Sequence, residues 1–158
     1  MSTIHLHAFP RSGLAAQAKN LRDLLGRFPR PLLDFLLRFG IALVFWKSGM
    51  AKIASWDLTV QLFADEYQVP VLPPELAAYL AASAELACPV LLVAGFGARF
   101  GAAALLGVTF VIQAFVYPDN WSEHLLWASI LTYVLTQGAG SLSFDHLVAR
   151  RLFAPAAR

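Results

Sequence analysis

The chain has 158 residues, of which 58% are hydrophobic and 14% charged, and its mean hydropathy is +0.61. A domain of this size has too much surface to hide so many apolar side chains from water, so we expect a membrane protein. The net charge of +2 and the scattered basic residues exclude a nucleic-acid-binding surface. The single cysteine, Cys88, excludes an internal disulfide.

Residues 1–31 form a charged segment that precedes any apolar span. Leu21, Leu25 and Phe28 recur in it at helical spacing, while Lys19 and Arg22 lie on other faces of the same helix. This pattern is typical of an amphipathic helix that lies on the cytoplasmic surface of a membrane.

Four apolar runs follow, each close to the ~20 residues that cross a bilayer. They cover about 32–53, 76–96, 99–117 and 122–137, and proline or glycine residues separate them. The runs predict an all-α integral membrane protein in which residues 32–137 form a four-helix bundle. We expect residues 138–158 to be a cytoplasmic tail with a second amphipathic surface helix.

The distribution of basic residues predicts the orientation of these spans. No lysine or arginine occurs from 53 to 98 or from 100 to 149, whereas basic residues precede the first span, occupy the second connection at Arg99 and follow residue 149. The positive-inside rule then places both termini in the cytoplasm. The connection over about 54–75 is expected to be a long outer loop.

Ionisable side chains within the spans need an explanation, because an Arg, Lys or Asp at the centre of a span costs at least ~2.5–3.5 kcal/mol. Glu85 falls near the middle of the second span, where it is either a structural ion pair or a group that handles a substrate or proton. A helical wheel places Arg38 on one face of the first span and Lys47 on the opposite face. We expect one of the two to balance Glu85, and Lys52 to snorkel at the outer rim.

The start of the last span is the densest group of polar residues. Glu123 suits the positive end of a helix, and His124 shares a helix face with Trp127. Because Gln113 lies at a similar depth, we expect these side chains and Glu85 to meet in one cavity that opens to the outer side. The candidate ligand-binding residues are Arg38, Phe45, Trp46, Lys47, Glu85, Gln113, Glu123, His124 and Trp127. No local spacing of ligands predicts a metal site.

Motifs in the first two spans and at the start of the last span resemble those of the DoxX family of small four-span bacterial inner-membrane proteins. In the first span they are Leu37-Arg38-Phe39-Gly40, Phe45, Ser48-Gly49 and Lys52-Ile53. In the second they are Ala84-Glu85-Leu86 and the run from Leu91 to Phe96, followed by Arg99. The segment Trp121-Ser122-Glu123-His124 is similar to the ending of one subgroup. The resemblance supports Arg38, Gly49, Lys52, Glu85 and Arg99 as pattern positions.

The resemblance implies a bacterial inner-membrane subunit of a redox or stress-response system. The expected periplasm-facing pocket would suit a quinone or another small apolar ligand, because aromatic side chains line it and Glu85 or His124 can form a hydrogen bond there. If the chain is part of an enzyme, the resemblance implies a subunit of a quinone-linked oxidoreductase. A transporter or metal-handling accessory protein and a non-catalytic assembly factor are the alternatives. Besides the lipid bilayer, the candidate partners are another protein of a membrane complex and a second copy of the chain.

Overall fold

The computed structural model describes residues 12–153, which are helical with short connections and contain no strand. The expected all-α class is therefore confirmed. The helices are α1 (Ser12–Leu25), α2 (Arg30–Ala54), α3 (Trp56–Leu62), α4 (Pro74–Ala94), α5 (Ala98–Val111), α6 (Trp121–Gln137) and α7 (Phe144–Phe153). A π-helical turn extends α3 over Phe63–Tyr67, and another extends α5 over Ile112–Val116. The predicted segments 1–31 and 138–158 reach into residues 1–11 and 154–158, which lie outside the described residues.

Residues 1–30 and 31–158 are separate compact units. Within the first unit, α1 exposes apolar side chains, such as Leu21 and Leu25, together with the basic Lys19 and Arg22. These features agree with the amphipathic pattern of the sequence, and the position of this helix on a membrane surface stays a prediction.

The second unit has one main apolar core, to which α2, α4, α5 and α6 all contribute. Its buried residues are Ile41, Ala42 and Phe45 of α2, Cys88 and Leu92 of α4, Ala98, Ala102 and Leu105 of α5, Leu131 and Val134 of α6, and Ala139. Small residues bring α5 close to α4, since a Cβ added to Gly101 would lie 3.3 Å from the carbonyl oxygen of Cys88. Small residues are typical of contacts between membrane helices, because they let the two backbones approach closely.

Two of the helical stretches, Pro74–Ala94 and Ala98–Val116, are long and apolar enough to cross a membrane. The helix α2 has 25 residues but carries Arg38, Lys47 and Lys52, and α6 has 17 residues.

At one end of the unit, Arg38 joins three segments of the chain. Its side chain is fully buried, and its Nη1 donates hydrogen bonds to the carbonyl oxygens of Leu92 at 2.6 Å and Val93 at 3.3 Å. Its Nη2 donates to the carbonyl oxygen of Leu142 at 2.7 Å. Because the last carbonyls of α4 carry the negative end of the helix dipole, a cation is favourable there. Arg38 thus ties α2 to the end of α4 and to the segment before α7.

The expected outer loop over 54–75 is largely folded. Trp56, Val60, Phe63 and Tyr67 follow one another at helical spacing, and they pack on Ala77, Ala78 and Ala81 of α4. The rings of Trp56 and Tyr79 lie 4.4 Å apart. The segment from α3 to its π-helical turn, Trp56–Tyr67, therefore covers the first turns of α4 as a second, smaller apolar cluster.

Candidate functional site

A cavity of about 630 Å³ lies at the end of the unit that is opposite Arg38. It is bounded by the second half of α2, the first half of α4, the end of α5 with its π-helical turn, and the start of α6. Its wall is mainly apolar, with residues such as Val44, Leu80, Val108 and Ile112. Phe63, Tyr67, Val69 and Leu72 line it as well, so the segment before α4 forms part of its wall.

An ion pair between α2 and α4 lies on this wall. Lys52 Nζ is 2.7 Å from Glu85 Oε2 and donates a second hydrogen bond to Ser48 Oγ at 2.8 Å. The side chain of Glu85 is 1% exposed and that of Lys52 is 17% exposed. The prediction that Glu85 has a polar partner on another helix is confirmed.

Gly49 allows the two helices to approach closely beside this ion pair. A Cβ at this position would lie 2.9 Å from the Leu86 side chain and 3.1 Å from the Cβ of Glu85. Real Cβ atoms do not approach other atoms at the shorter of these distances, so any larger residue would push α2 away from α4. Gly49 and the ion pair between Lys52 and Glu85 therefore belong to the same contact between α2 and α4.

The second polar group of the cavity is His124, near the start of α6. The imidazole is 3% exposed, and its Nδ1 is 2.7 Å from Gln113 Oε1. Gln113 lies in the π-helical turn after α5, and its Nε2 donates a hydrogen bond to the carbonyl oxygen of Pro118 at 2.6 Å. The Trp127 ring lies 5.1 Å from His124 and 5.4 Å from Phe45, so an aromatic wall adjoins the imidazole.

Tyrosine and acidic side chains occupy the remaining polar part of the wall. The rings of Tyr67 and Tyr117 lie 6.2 Å apart. Burial is the main cause of a raised pKa of the Tyr67 phenol, and a hydrogen bond to Tyr117 raises this pKa further. Glu123 accepts a hydrogen bond from the side-chain amide of Asn120 at 2.7 Å. Asn120 is the N-cap residue of α6, but its side chain binds Glu123 and not a backbone amide.

The structure places the predicted site residues in four locations. Phe45, Glu85, Glu123, His124 and Trp127 line the cavity. Gln113 does not line the cavity, but its side chain contacts the imidazole of His124, which does. Trp46 and Lys47 are on the exposed face of α2, and Arg38 is at the opposite end of the unit. Their role in ligand binding stays a prediction.

The prediction that Arg38 or Lys47 balances Glu85 is wrong, because Lys52 is the partner. Depth along the helix suggested that Lys52 snorkels at the rim. Its angular position, however, is shared with Phe45 and Gly49 on the buried face of α2. The four-carbon stem of lysine then lets the ammonium reach Glu85 from the end of the helix.

Sequence reasoning also missed the contribution of Tyr67, Val69 and Leu72 to the cavity. The signal was the helical spacing of Trp56, Val60, Phe63 and Tyr67, which the intervening acidic residues obscured. Within residues 12–153, no three His, Cys, Asp or Glu side chains form a group that could hold a metal ion.

Fold and cavity together define a helical, membrane-compatible protein with an apolar pocket that carries two buried polar groups. A sequence model of the DoxX family matches residues 33–118. The chain belongs to the DoxX family, and membership in this family makes it a membrane protein. An uncharacterized protein from Haemophilus influenzae strain Rd is 29% identical over 127 residues, which cover 73% of this chain and 82% of that protein. No solved structure matches the chain significantly.

Proposed function

We propose that this protein is a multi-pass inner-membrane subunit of a redox or stress-response system, and that its cavity binds a quinone or another small apolar ligand. The observation that carries the proposal is the cavity itself. Its volume of about 630 Å³ lies within the roughly 300–1,000 Å³ of small-molecule sites. An apolar wall with a few polar groups is the lining that such sites use to orient a ligand.

In this proposal α2, α4, α5 and α6 are the four spans of a membrane bundle. Two of the charges of α2 are compatible with this role, because both Nη atoms of Arg38 donate hydrogen bonds to carbonyl oxygens and Lys52 pairs with Glu85. With a rise of 1.5 Å per residue, the 17 residues of α6 extend about 26 Å, close to the ~30 Å of the hydrocarbon core. The charge distribution of the sequence supports an orientation with cytoplasmic termini and a cavity that opens toward the periplasm.

The two polar groups give the head group of a quinone, or of its hydroquinone form, two polar surfaces to contact. Lys52 with Glu85 supplies a cation and a carboxylate on one wall, and His124 supplies an imidazole on another. Phe45 and Trp127 supply flat aromatic surfaces beside the imidazole. The apolar remainder of the wall suits a ring and the beginning of an isoprenoid tail.

Quinone binding can be measured by quenching of tryptophan fluorescence in nanodiscs, with decylubiquinone and menaquinone-4 as probes. We expect saturable quenching in the wild type, which Trp127→Phe removes because Trp127 is the indole at the cavity. Trp46→Phe is the matched control, since Trp46 is on the exposed face of α2. Quenching that does not saturate, or that is equal in both variants, would contradict the proposal, as would the absence of quinone from organic extracts of freshly purified protein.

A further inference from the structure

A chain of hydrogen bonds behind the cavity determines which nitrogen of His124 carries a proton. The carbonyl oxygen of Pro118 can only accept a hydrogen bond, so the side-chain group of Gln113 that faces it must be the NH₂. The amide oxygen of Gln113 therefore faces His124 Nδ1, at 2.7 Å. An amide oxygen also only accepts, so Nδ1 must carry the hydrogen.

This assignment leaves the other ring nitrogen with a free lone pair. A neutral imidazole has a single N–H, and once it is on Nδ1 the Nε2 atom is an acceptor. Across residues 12–153, no side chain or backbone group forms a hydrogen bond with Nε2. His124 lines the cavity whereas Gln113 does not, so the ring edge opposite Nδ1 is the one that faces the cavity. Among the described residues, Nε2 is not one of the fully buried atoms without a partner, so water that enters the cavity can reach it. A ligand that displaces this water without supplying a donor leaves the acceptor unsatisfied, which is costly.

We infer that the cavity selects ligands that present a hydroxyl donor to His124 Nε2, and that Gln113 is the residue that sets this specificity. The inference rests on the proposed function and narrows its ligand to aromatic hydroxyl compounds, which include the hydroquinone form of a quinone. The carbonyl form of the same ring offers Nε2 only another acceptor, so it leaves the lone pair unsatisfied. Gln113 acts as a positioning residue, because it contacts the imidazole and not the ligand.

The π-helical turn explains how Gln113 reaches both partners. The turn Ile112–Val116 ends α5, and Pro118 follows five residues after Gln113. Such turns occur often at functional sites, because the extra residue per turn redirects side chains. Here it allows the Gln113 side chain to bridge the connection before α6 and the first turn of α6.

The test compares 2-naphthol with 2-methoxynaphthalene, which share the aromatic ring and differ in the hydroxyl donor. Each probe is equilibrated at pH 8 with a mixture of protein-loaded and empty nanodiscs, and the amount retained by the loaded discs is measured by chromatography. We expect the discs with wild-type protein to retain about ten times more 2-naphthol than 2-methoxynaphthalene. A difference of this size is expected when a bound ligand leaves one hydrogen-bond acceptor unsatisfied.

Variants assign the preference to the hydrogen-bond chain. His124→Phe should remove the preference, which also shows that the added methyl group does not cause it. His146→Phe is the matched control on the exposed face of α7 and should retain it. Gln113→Leu should weaken the preference, because Nδ1 then has no acceptor.

Nitrogen-15 NMR of histidine-labelled protein without ligand tests the tautomer separately, with His124→Phe used to assign the signal. We expect a protonated Nδ1 and a bare Nε2. A protonated Nε2 in the neutral ring, or equal retention of the two probes by the wild type, would overturn the inference and leave the proposed function standing. If no naphthalene or quinone probe is retained above empty discs, both the inference and the proposed function fail.

Discussion

Lys52 Nζ lies 2.7 Å from Glu85 Oε2, so an ion pair on the cavity wall joins the last turn of α2 to the middle of α4. The pair places a carboxylate within a helix that is long and apolar enough to cross a membrane, without leaving its charge unbalanced. It also keeps a polar group available at the cavity, since Lys52 and Glu85 both line it. The contact is therefore both a structural link and a component of the candidate site.

Breaking this pair should destabilise the protein strongly. Lys52→Met leaves the carboxylate of Glu85 buried without a counter-charge, and we expect the free energy of unfolding to fall by about 3–5 kcal/mol. The double variant Lys52→Met/Glu85→Leu should recover most of this loss, because it removes both charges. Unfolding in SDS after reconstitution measures the effect. Lys47→Met, on the exposed face of the same helix, is the control and should be neutral; an equal loss in this control would contradict the assignment.

Gly49 should resist any enlargement. A Cβ there would lie 2.9 Å from the Leu86 side chain, so we expect Gly49→Ala to lower the free energy of unfolding by about 1–3 kcal/mol. Gly40→Ala is the control on the same helix, because a Cβ there has no neighbour within 4 Å. This control should be neutral or slightly stabilising. Leu86→Ala should partly rescue Gly49→Ala, and a failure to do so would separate the glycine from this contact.

The buried face of α2 could be predicted from the sequence, whereas the partner of Glu85 could not. A helical wheel places Arg38, Phe45 and Gly49 on one side, and all three are buried. Which neighbouring helix this face meets depends on tertiary packing, which periodicity does not contain. The depth of Lys52 along α2 suggested a lysine at the membrane rim, whereas its position on the helical wheel put it on the buried face. The helical wheel was the better guide, because a lysine side chain extends several ångströms beyond its Cα.

At the start of α6, too, one feature could be predicted from the sequence and another could not. The spacing of His124 and Trp127 predicts one helix face, and their rings lie 5.1 Å apart. The tautomer of His124 could not be predicted, because it depends on the carbonyl oxygen of Pro118 and on a π-helical turn that follows a regular apolar run. The covering segment Trp56–Tyr67 was obscured by Asp57, Asp65 and Glu66, whose charges suggested a solvated loop.

Arg38 should control the order of α7. It donates hydrogen bonds to the carbonyl oxygens of Leu92 and Leu142, and Asp145 binds the same α4–α5 turn through Gly95 and Gly97. In Arg38→Met we expect amide exchange over residues 144–151 to rise by about tenfold or more, since each hydrogen bond to a charged group contributes about 1.5–3 kcal/mol. Hydrogen–deuterium exchange with mass spectrometry measures it.

Arg99→Met is the matched control for Arg38, because the exposed Arg99 makes a single long hydrogen bond to the Thr136 carbonyl oxygen at 3.3 Å. Its exchange pattern should stay close to that of the wild type. If both variants increase exchange equally, the effect belongs to the loss of a positive charge and not to the contacts of Arg38.

The proposed orientation can be tested with reporters whose activity depends on the compartment. Alkaline phosphatase fused after residue 65 should be active, because that segment is expected in the periplasm, and fusions after residues 97 and 158 should be inactive. Green fluorescent protein fused at the same positions should give the reverse pattern. If the fusions after residues 65 and 158 both report the cytoplasm, the four-span topology is wrong.

Filling the cavity should abolish ligand binding without unfolding the protein. Gly107 lines the cavity, and a Cβ added there would meet no atom within 4 Å, so the side chain of Gly107→Leu can extend into the cavity without displacing a neighbour. We expect the affinity for quinone, measured by fluorescence quenching, to fall by about tenfold or more, which corresponds to about 1.4 kcal/mol of binding energy. The stability of the protein in SDS should not change. Gly40→Leu places the same side chain on α2 at a position with no neighbour within 4 Å and should bind as the wild type does. Undiminished quenching in a folded Gly107→Leu protein would show that the ligand occupies another site.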